Sequence, residues 1–203
     1  MIPTIPPIES AKDGQRAGVA ATAMTTILIP TTPERHERLH LCLQSLQQNC
    51  TLPITVSLCF MPAAGAVEPT LKLAAAAPKG PVMCLNDDML VLPGCLEALH
   101  EVWLQRGGLC FPSDGIQDGD LACVPYCHRD YLLEHLHAGY IHNFADTELT
   151  LRARQRGELH YVPAAKLLHD HWTKGAPHDR TYAKQQGSWP RDKALFKARN
   201  PGA

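Results

Sequence analysis

Two adjacent carboxylates, Asp87 and Asp88, follow the apolar run of residues 82–85 after a single asparagine. Bounded by Gly80-Pro81 on its other side, this run is typical of a short buried strand. Carboxylates at the carboxyl end of such a strand lie where open α/β sheets bind ligands. Because neighbouring like charges repel, the pair needs a cation or hydrogen-bond donors. Carboxylate oxygens suit Mg²⁺ or Mn²⁺ shared with a substrate's phosphates, although a polar turn leaving a strand would show the same dipeptide.

The segments around this pair alternate between strand-like and helix-like patterns, which predicts an α/β fold. Thr32 and Pro33 have the residue types of a helix start, and an apolar stripe with helical spacing then runs from Leu39 to Leu46. Because the order strand, helix, strand favours parallel pairing, we expect a single Rossmann-like α/β domain with a mostly parallel central sheet flanked by helices. The predicted strands are residues 25–29, 54–60, 82–85, 109–111, 121–124 and 159–163, and the predicted helices begin near residues 33, 69, 95, 129 and 146.

The chain has 203 residues, of which 45% are hydrophobic, and this is enough for one domain with a full core. We expect a flexible, proline-containing leader at residues 1–23, a domain at 24–172 and a basic C-terminal tail at 173–203. Between Lys174 and Arg199, seven Lys or Arg stand against two Asp, although the whole chain carries a net charge of −1. This asymmetry indicates a polyanionic partner such as DNA, and a solvated tail has the same composition.

Eight cysteines are spread through the predicted strands and helices, and none belongs to a CxxC pair. We interpret them as reduced and mostly buried thiols of a cytoplasmic protein. No apolar run approaches the ~20 residues that a membrane span requires. We therefore expect neither a membrane span nor a secretory signal.

Several short motifs follow one another along residues 25–172. They are residues 27–32 with Arg35, residues 85–88 with Pro93-Gly94, residues 145–149 with Arg152 and Gly157, residues 161–163, and the pair His169 and His171. In this order the chain resembles nucleotide-sugar glycosyltransferases of the GT-A fold, and it is most similar to the large family 2 type. The resemblance implies a single GT-A domain that binds a nucleotide-sugar donor, with a UDP-sugar favoured.

The resemblance also implies where the donor and a divalent cation, Mn²⁺ or Mg²⁺, would bind. The donor-binding residues would be Pro30, Thr31, Thr32, Arg35, Asn86 and Asp87. Asp88 would be a direct metal ligand, and a histidine would complete the shell. His169 and His171 would share one face of a strand, and we select His171. The ion would act as a Lewis acid on the charge that builds on the departing diphosphate.

Asp146 resembles the catalytic carboxylate of the family, a general base that takes the proton from the acceptor hydroxyl. Proton transfer by a positioned side chain contributes about 10²–10⁴-fold to a rate. Glu148 and Trp172 are predicted to bind the acceptor. Acidic residues in the first turn of a helix also cap it and complement its dipole, so a structural role is the alternative for Asp146 and Glu148.

The predicted function is therefore a glycosyltransferase of the hexosyltransferase type, with inversion implied by the resemblance. Because a basic, aromatic-containing tail suits nucleic acid, we expect the acceptor to be a hydroxymethylated DNA base, which would be flipped out of the duplex. Two alternatives stay open: a glycan-building transferase with a saccharide acceptor, and a non-catalytic module that binds nucleotide sugars or nucleic acid. A nucleotidyltransferase is less favoured, because no Gly-rich phosphate loop follows the first strand.

Overall fold

The computed structural model describes residues 24–60, 65–116, 119–170 and 180–202, through which a seven-stranded sheet runs. The strands are β1 (Thr25–Thr31), β2 (Ile54–Phe60), β3 (Pro81–Cys84), β4 (Met89–Val91), β5 (Leu109–Ser113), β6 (Tyr126–His128) and β7 (Leu159–His169). The helices are α1 (His36–Asn49), α2 (Val67–Ala76), α3 (Cys95–Arg106), α4 (Arg129–His135), α5 (Ala145–Gln155) and α6 (Arg180–Arg199). The predicted leader at residues 1–23 and the segment 171–179 lie outside the described residues.

The sheet is mixed, with the strand order β2-β1-β3-β6-β5-β7-β4. Strand β1 pairs in parallel with both β2 and β3, and β5 pairs in parallel with β7. The pairings of β6 with β3 and β5, and of β4 with β7, are antiparallel. The carboxyl ends of β1, β3, β5 and β7 consequently lie along the same edge of the sheet. The prediction of a single α/β domain with a Rossmann-like, GT-A-type sheet is confirmed, with its parallel core at β2, β1 and β3.

Helices cover both faces of the sheet, and this explains why β1 is apolar on both faces. Successive side chains of a strand point to opposite faces, and every residue of β1 is buried. Ile27 and Ile29 pack in the core under α1 and α3, whereas Leu28 packs in a second core under α2, α4 and α5. The predicted stripe of α1 is confirmed, because Leu39 and Leu46 are buried in the first core.

Strand β7 joins two parts of the sheet and carries His169 to the edge where β3 ends. Its first half pairs with β5, the register shifts near Ser113, and its last three residues pair with β4. In that second pairing His169 lies opposite Met89, and the backbone N–H of Asp170 donates to the carbonyl of Asp88 at 2.9 Å. Strand pairing therefore brings the end of β7 beside the acidic pair.

One predicted strand and the predicted end of another were wrong. Residues 121–124 form a loop, because the backbone N–H of Ala122 donates to the hydroxyl of Thr150 and makes no ladder bond; the strand is β6 instead. The last strand was predicted to end at Pro163, yet β7 continues to His169. Proline removes one backbone donor, but the strand continues because a new partner, β4, takes up its last residues.

Helix α6 packs against the start of α5 rather than leaving the domain. Its Leu195 and Phe196 contact a small core formed by Val67, Tyr140 and Ala145. Although α6 has 20 residues, neither it nor another helix in the described part of the chain combines the length and apolar character that crossing a bilayer requires.

Candidate active site

The acidic pair lies in the turn that connects β3 to β4. Asp87 and Asp88 are 1% and 5% exposed, so both carboxylates are almost completely buried. The turn is closed by a hydrogen bond from the backbone N–H of Met89 to the carbonyl of Asn86, at 3.2 Å. Burying two charges that close together requires nearby compensation.

Arg35 provides this compensation from the turn that follows β1. Its Nη1 lies 2.5 Å from Asp87 Oδ1, and its Nη2 donates to Asp88 Oδ2 at 2.8 Å. Arg35 is itself only 8% exposed, and the hydroxyl of Thr31 donates to Asp87 Oδ2 at 2.6 Å. A guanidinium that bridges two carboxylates forms strong, charge-assisted bonds. Arg35, Asp87 and Asp88 together carry one net negative charge, and Arg38, whose Nη1 lies 3.8 Å from Asp88 Oδ2, offsets part of it.

The ionisation of Asp87 depends on the balance between its burial and these positive charges. Burial raises the pKa of Asp87, and the opposing effects of Arg35 and Thr31 are too small to cancel this increase. Ionised Asp87 is therefore under-compensated by its present neighbours. A divalent ion close to the pair would stabilise the ionised form.

His169 lies between Asp88 and Asp114, and each of its ring nitrogens faces one of these carboxylates. Nε2 of His169 is 3.6 Å from Asp88 Oδ1, and Nδ1 is 3.3 Å from Asp114 Oδ2. Asp114 is buried, and its Oδ1 accepts a hydrogen bond from the backbone N–H of Ile116 at 2.9 Å. A carboxylate at one ring nitrogen fixes the orientation of a histidine whose other nitrogen faces a metal.

Asp88 and His169 fit the requirements of a shared divalent-ion site. Within the described residues, no group of three or more His, Cys, Asp or Glu is arranged to hold an ion alone. Mg²⁺ sites of this kind use one or two carboxylates and take the remaining ligands from substrate phosphates and water, whereas imidazole suits transition-metal ions. The carboxylate of Asp88 and the imidazole of His169 would be the protein ligands of such an ion. His171, the predicted ligand, lies outside the described residues.

The predicted donor-binding residues of the two turns lie together. Pro30 and Thr31 end β1, next to β3 in the sheet, and Thr31 contacts Asp87 directly. The hydroxyl oxygen of Thr32 is buried and has no hydrogen-bond partner among the described residues, which leaves it available to a ligand. Asn86 is half-buried, and its carbonyl accepts a hydrogen bond from the thiol of Cys42 at 3.7 Å.

Two residues that the sequence did not single out, Arg38 and His142, also border this site. Nη1 of Arg38 lies 3.8 Å from Asp88 Oδ2, and its Nη2 lies 3.7 Å from Asp170 Oδ2. Burial lowers the pKa of His142 to about 4; nearby Arg35 adds to this effect, and Asp192 and Asp88 oppose it. His142 is therefore neutral at neutral pH, and its Nδ1 accepts a hydrogen bond from the backbone N–H of Ala66 at 3.2 Å.

Asp114 could have been found from the sequence if the strand order had been known. It directly follows β5, whose carboxyl end lies on the same sheet edge as that of β3. An acidic residue at that position is a candidate for the ligand-binding edge. Arg38 and His142 carry no such signal, because only tertiary packing brings them to the site.

Asp146, the predicted general base, is the second residue of α5 and is half-buried. Its Oδ1 accepts a hydrogen bond from the backbone N–H of Thr147 at 2.8 Å, and burial raises the pKa of its carboxyl group. The thiol of Cys123 is near both Asp146 and Asp114: burial raises its pKa, and these two carboxylates add to the increase. Asp146 and Asp114 therefore lie on the same side of the domain.

Glu148, predicted to bind the acceptor, is buried and engaged by several side chains. Arg152 Nε donates to it at 2.6 Å and Arg199 Nη2 at 2.8 Å, and the hydroxyl of Tyr140 donates as well. Burial would raise the pKa of Glu148, but the bonds from Arg199, Tyr140 and Arg152 outweigh it and lower the pKa to about 2. These contacts connect α5 to α6. Trp172, the other predicted acceptor residue, lies outside the described residues.

We expect the replacement Arg35→Gln to lower the free energy of unfolding by about 3–5 kcal/mol, because it leaves two buried carboxylates without their cation. Urea denaturation measures this loss. In the Asp87→Asn background the same replacement should lower the free energy of unfolding by less, since one of the two buried charges is already absent. Arg38→Gln is the control, and its longer contacts should contribute about 1 kcal/mol or less. Equal losses for Arg35→Gln and Arg38→Gln would contradict the compensation that we describe.

The Glu148 cluster should give the stability a pH dependence in acid. Because the folded pKa of about 2 lies below the ordinary value of 4.5, the ionised group stabilises the fold above pH 4.5, and this stabilisation is lost as the pH falls towards 2. Urea denaturation at several pH values should show the stability difference between the wild type and Glu148→Gln narrowing over this interval. Glu68→Gln, which removes an exposed pair with Lys72, should change the profile much less. A stability difference between the wild type and Glu148→Gln that stays constant down to pH 2 would contradict this prediction.

No protein-family model matches the chain, and no curated protein matches it. Among solved structures, its fold is similar to that of S. aureus TarS, a glycosyltransferase of the GT-A type. A crystal structure of S. aureus TarS 1-349 aligns with a TM-score of 0.56 and 8% identity over 89% of this chain and 76% of that chain. A second, of TarS 1-349 in complex with UDP-GlcNAc, aligns with a TM-score of 0.43 and 10% identity over 55% of this chain and about half, 47%, of that chain. The first likeness shows a GT-A-like fold, and the narrower resemblance to family 2 stays a prediction.

Proposed function

We propose that the protein is a metal-dependent glycosyltransferase that moves a sugar from a nucleotide-diphosphate donor to an acceptor hydroxyl. The observation that carries this proposal is the buried cluster of Asp87, Arg35 and Asp88, with His169 facing Asp88. It lies at the carboxyl edge of the sheet, which is where open α/β sheets bind ligands.

The donor half of the site suits a diphosphate leaving group. When the bond to the sugar breaks, negative charge builds on phosphate oxygens, and a divalent ion held by Asp88 and His169 would supply Lewis-acid stabilisation. Arg38, at the margin of the cluster, supplies a further positive charge close to Asp88. Thr32 can offer its buried hydroxyl to the donor. Asp114 keeps the ring of His169 oriented with Nε2 towards Asp88.

On the acceptor side of the site, we assign the role of general base to Asp146. Its Oδ1 is held by Thr147, so Oδ2 is the atom that would take the proton from the acceptor hydroxyl. Because burial raises the pKa of Asp146, its carboxylate is a better base than an ordinary exposed Asp. Attack by the activated hydroxyl in a single displacement would invert the configuration of the sugar.

The predicted DNA acceptor depends on the basic C-terminal segment, part of which lies in α6. Within the described part of α6, Arg199 forms an ion pair with Glu148, and Lys193 Nζ lies 4.3 Å from the centre of the Trp189 ring. The ion pair of Arg199 with Glu148 reduces the charge that α6 can offer to a phosphate backbone, whereas Lys193 keeps its charge beside the indole. A saccharide acceptor is therefore a second candidate of equal standing, and the assay below includes both.

Incubation with UDP-, GDP- and dTDP-sugars and Mn²⁺ should give slow donor hydrolysis, and a suitable acceptor should convert it into transfer. We expect Asp88→Asn to lower kcat/KM about 100-fold or more, because it would remove a ligand of the ion that stabilises the leaving group. Asp146→Asn should lower kcat by about 10²–10⁴-fold with little change in the donor KM. Asp120→Asn, on the exposed surface, is the matched control and should keep its activity.

The acceptor arm compares an oligosaccharide panel with duplex DNA that contains a hydroxymethylated base. A nucleic-acid acceptor should show a KM that rises steeply with salt. Donor binding without any turnover, on either acceptor, would favour the non-catalytic alternative. Release of pyrophosphate from a nucleoside triphosphate would instead support a nucleotidyltransferase.

A further inference from the structure

A buried carboxylate of α6 binds the segment that leads into α5. Asp192 is 0% exposed. Its Oδ1 accepts a hydrogen bond from the backbone N–H of Ile141 at 3.0 Å, and its Oδ2 accepts bonds from His142 and Asn143 at 3.0 and 2.9 Å. Three consecutive backbone donors thus converge on one carboxylate, a concave arrangement that binds an anion well. The side-chain amide of Asn143 adds a fourth contact, to the hydroxyl of Ser188 at 2.9 Å.

The next residue, Phe144, has a backbone conformation that only its surroundings can maintain. Its φ of 64° lies in the left-handed region, which is uncommon for a bulky side chain. Its ring packs against two rings of α6, with centroid distances of 5.6 Å to Trp189 and 5.5 Å to Phe196. The left-handed turn at Phe144 sets the direction in which α5 begins at Ala145.

On its other side the same segment lies against the residues before α2. The backbone N–H of Val67 donates to the carbonyl of Ile141 at 3.3 Å, and that of Ala66 donates to the ring of His142. Gly65 has a φ of 62°, and a Cβ there would collide with the carbonyl oxygen of Ile141. Residues 141–144 are therefore held between α6 and the start of α2.

This segment connects α6 to the proposed chemistry. His142 is close enough to Arg35 and Asp88 for their charges to affect its ionisation. Asp146 follows Phe144 by two residues, so its position depends on the turn that Phe144 makes. Rotating or displacing this turn by about 1 Å is enough to lower a catalytic rate by about 10²-fold.

The geometry points to Asp192 as a positioning residue, which holds residues 141–144 so that Asp146 is presented to the acceptor. The inference rests on the proposed function. It assigns part of the basic C-terminal segment to the active-site architecture, because α6 supplies the carboxylate and the two rings that define the turn. Asp192 takes no part in the chemical step itself.

The test replaces Asp192 with Asn, which keeps the size of the side chain but removes one of its two acceptor oxygens. We expect amide hydrogen exchange in residues 141–143 to become about tenfold faster or more, since the donors lose part of their partner. We also expect kcat to fall by about 10–100-fold, with a donor KM within about twofold of the wild type. A smaller folded fraction would also lower the apparent kcat at an unchanged KM, so kcat is calculated per mole of folded protein, which near-UV circular dichroism measures for each variant.

Asp120→Asn is the matched control, because it makes the same chemical change at an exposed side chain. It should leave both the exchange of that segment and kcat within about twofold of the wild type. Unchanged exchange in Asp192→Asn, or faster exchange with an unchanged kcat, would overturn the inference, and so would an equal loss of kcat in the control. If the wild type transfers no sugar, the proposed function fails, and the exchange comparison still decides whether Asp192 holds the segment.

Discussion

The structure depends on one electrostatic constraint: two neighbouring carboxylates are buried together, and one arginine lies between them. Asp87 and Asp88 cannot both remain ionised in the interior unless positive charge reaches them. Arg35 supplies it through two short contacts, but burial still raises the pKa of Asp87. Burial therefore opposes the ionisation of Asp87 in the fold, and a further cation would stabilise the ionised form. This is the place at which we propose that a metal ion and a diphosphate bind.

The fold satisfies this constraint by collecting residues from distant parts of the chain at one sheet edge. Parallel pairing of β1 with β3 puts the turn of Arg35 beside the acidic pair. The pairing of β7 with β4 then puts His169 next to Asp88, and the pairing with β5 puts Asp114 behind the imidazole. Helix α6 holds residues 141–143, which lead into α5 and Asp146, through Asp192. Each contact joins segments that are far apart in sequence.

Local patterns predicted the parts of this arrangement that depend on local physics. The buried strands and the stripe of α1 each follow from residue types within a few positions. Thr32 and Pro33, the predicted helix start, instead begin a single 3₁₀ turn at Pro33–Arg35, and α1 begins at His36. The acidic pair could be singled out because two adjacent charges after an apolar run are unusual in themselves. The sequence analysis selected His171, which lies outside the described residues; alternation places it on the same face as His169, and only the register of β7 against β4 brings His169 to Asp88. Asp192 carried no local signal, because its three donors lie about fifty residues away along the chain.

The most direct measurement is a crystal structure of the protein with a nucleoside diphosphate and Mn²⁺, with the ion located by its anomalous scattering. We expect one ion about 2.0–2.3 Å from a carboxylate oxygen of Asp88 and from Nε2 of His169, with diphosphate oxygens completing its shell. We also expect Arg35 to stay between Asp87 and Asp88. An ion bound away from Asp88, or a diphosphate bound at another edge of the sheet, would contradict this expectation.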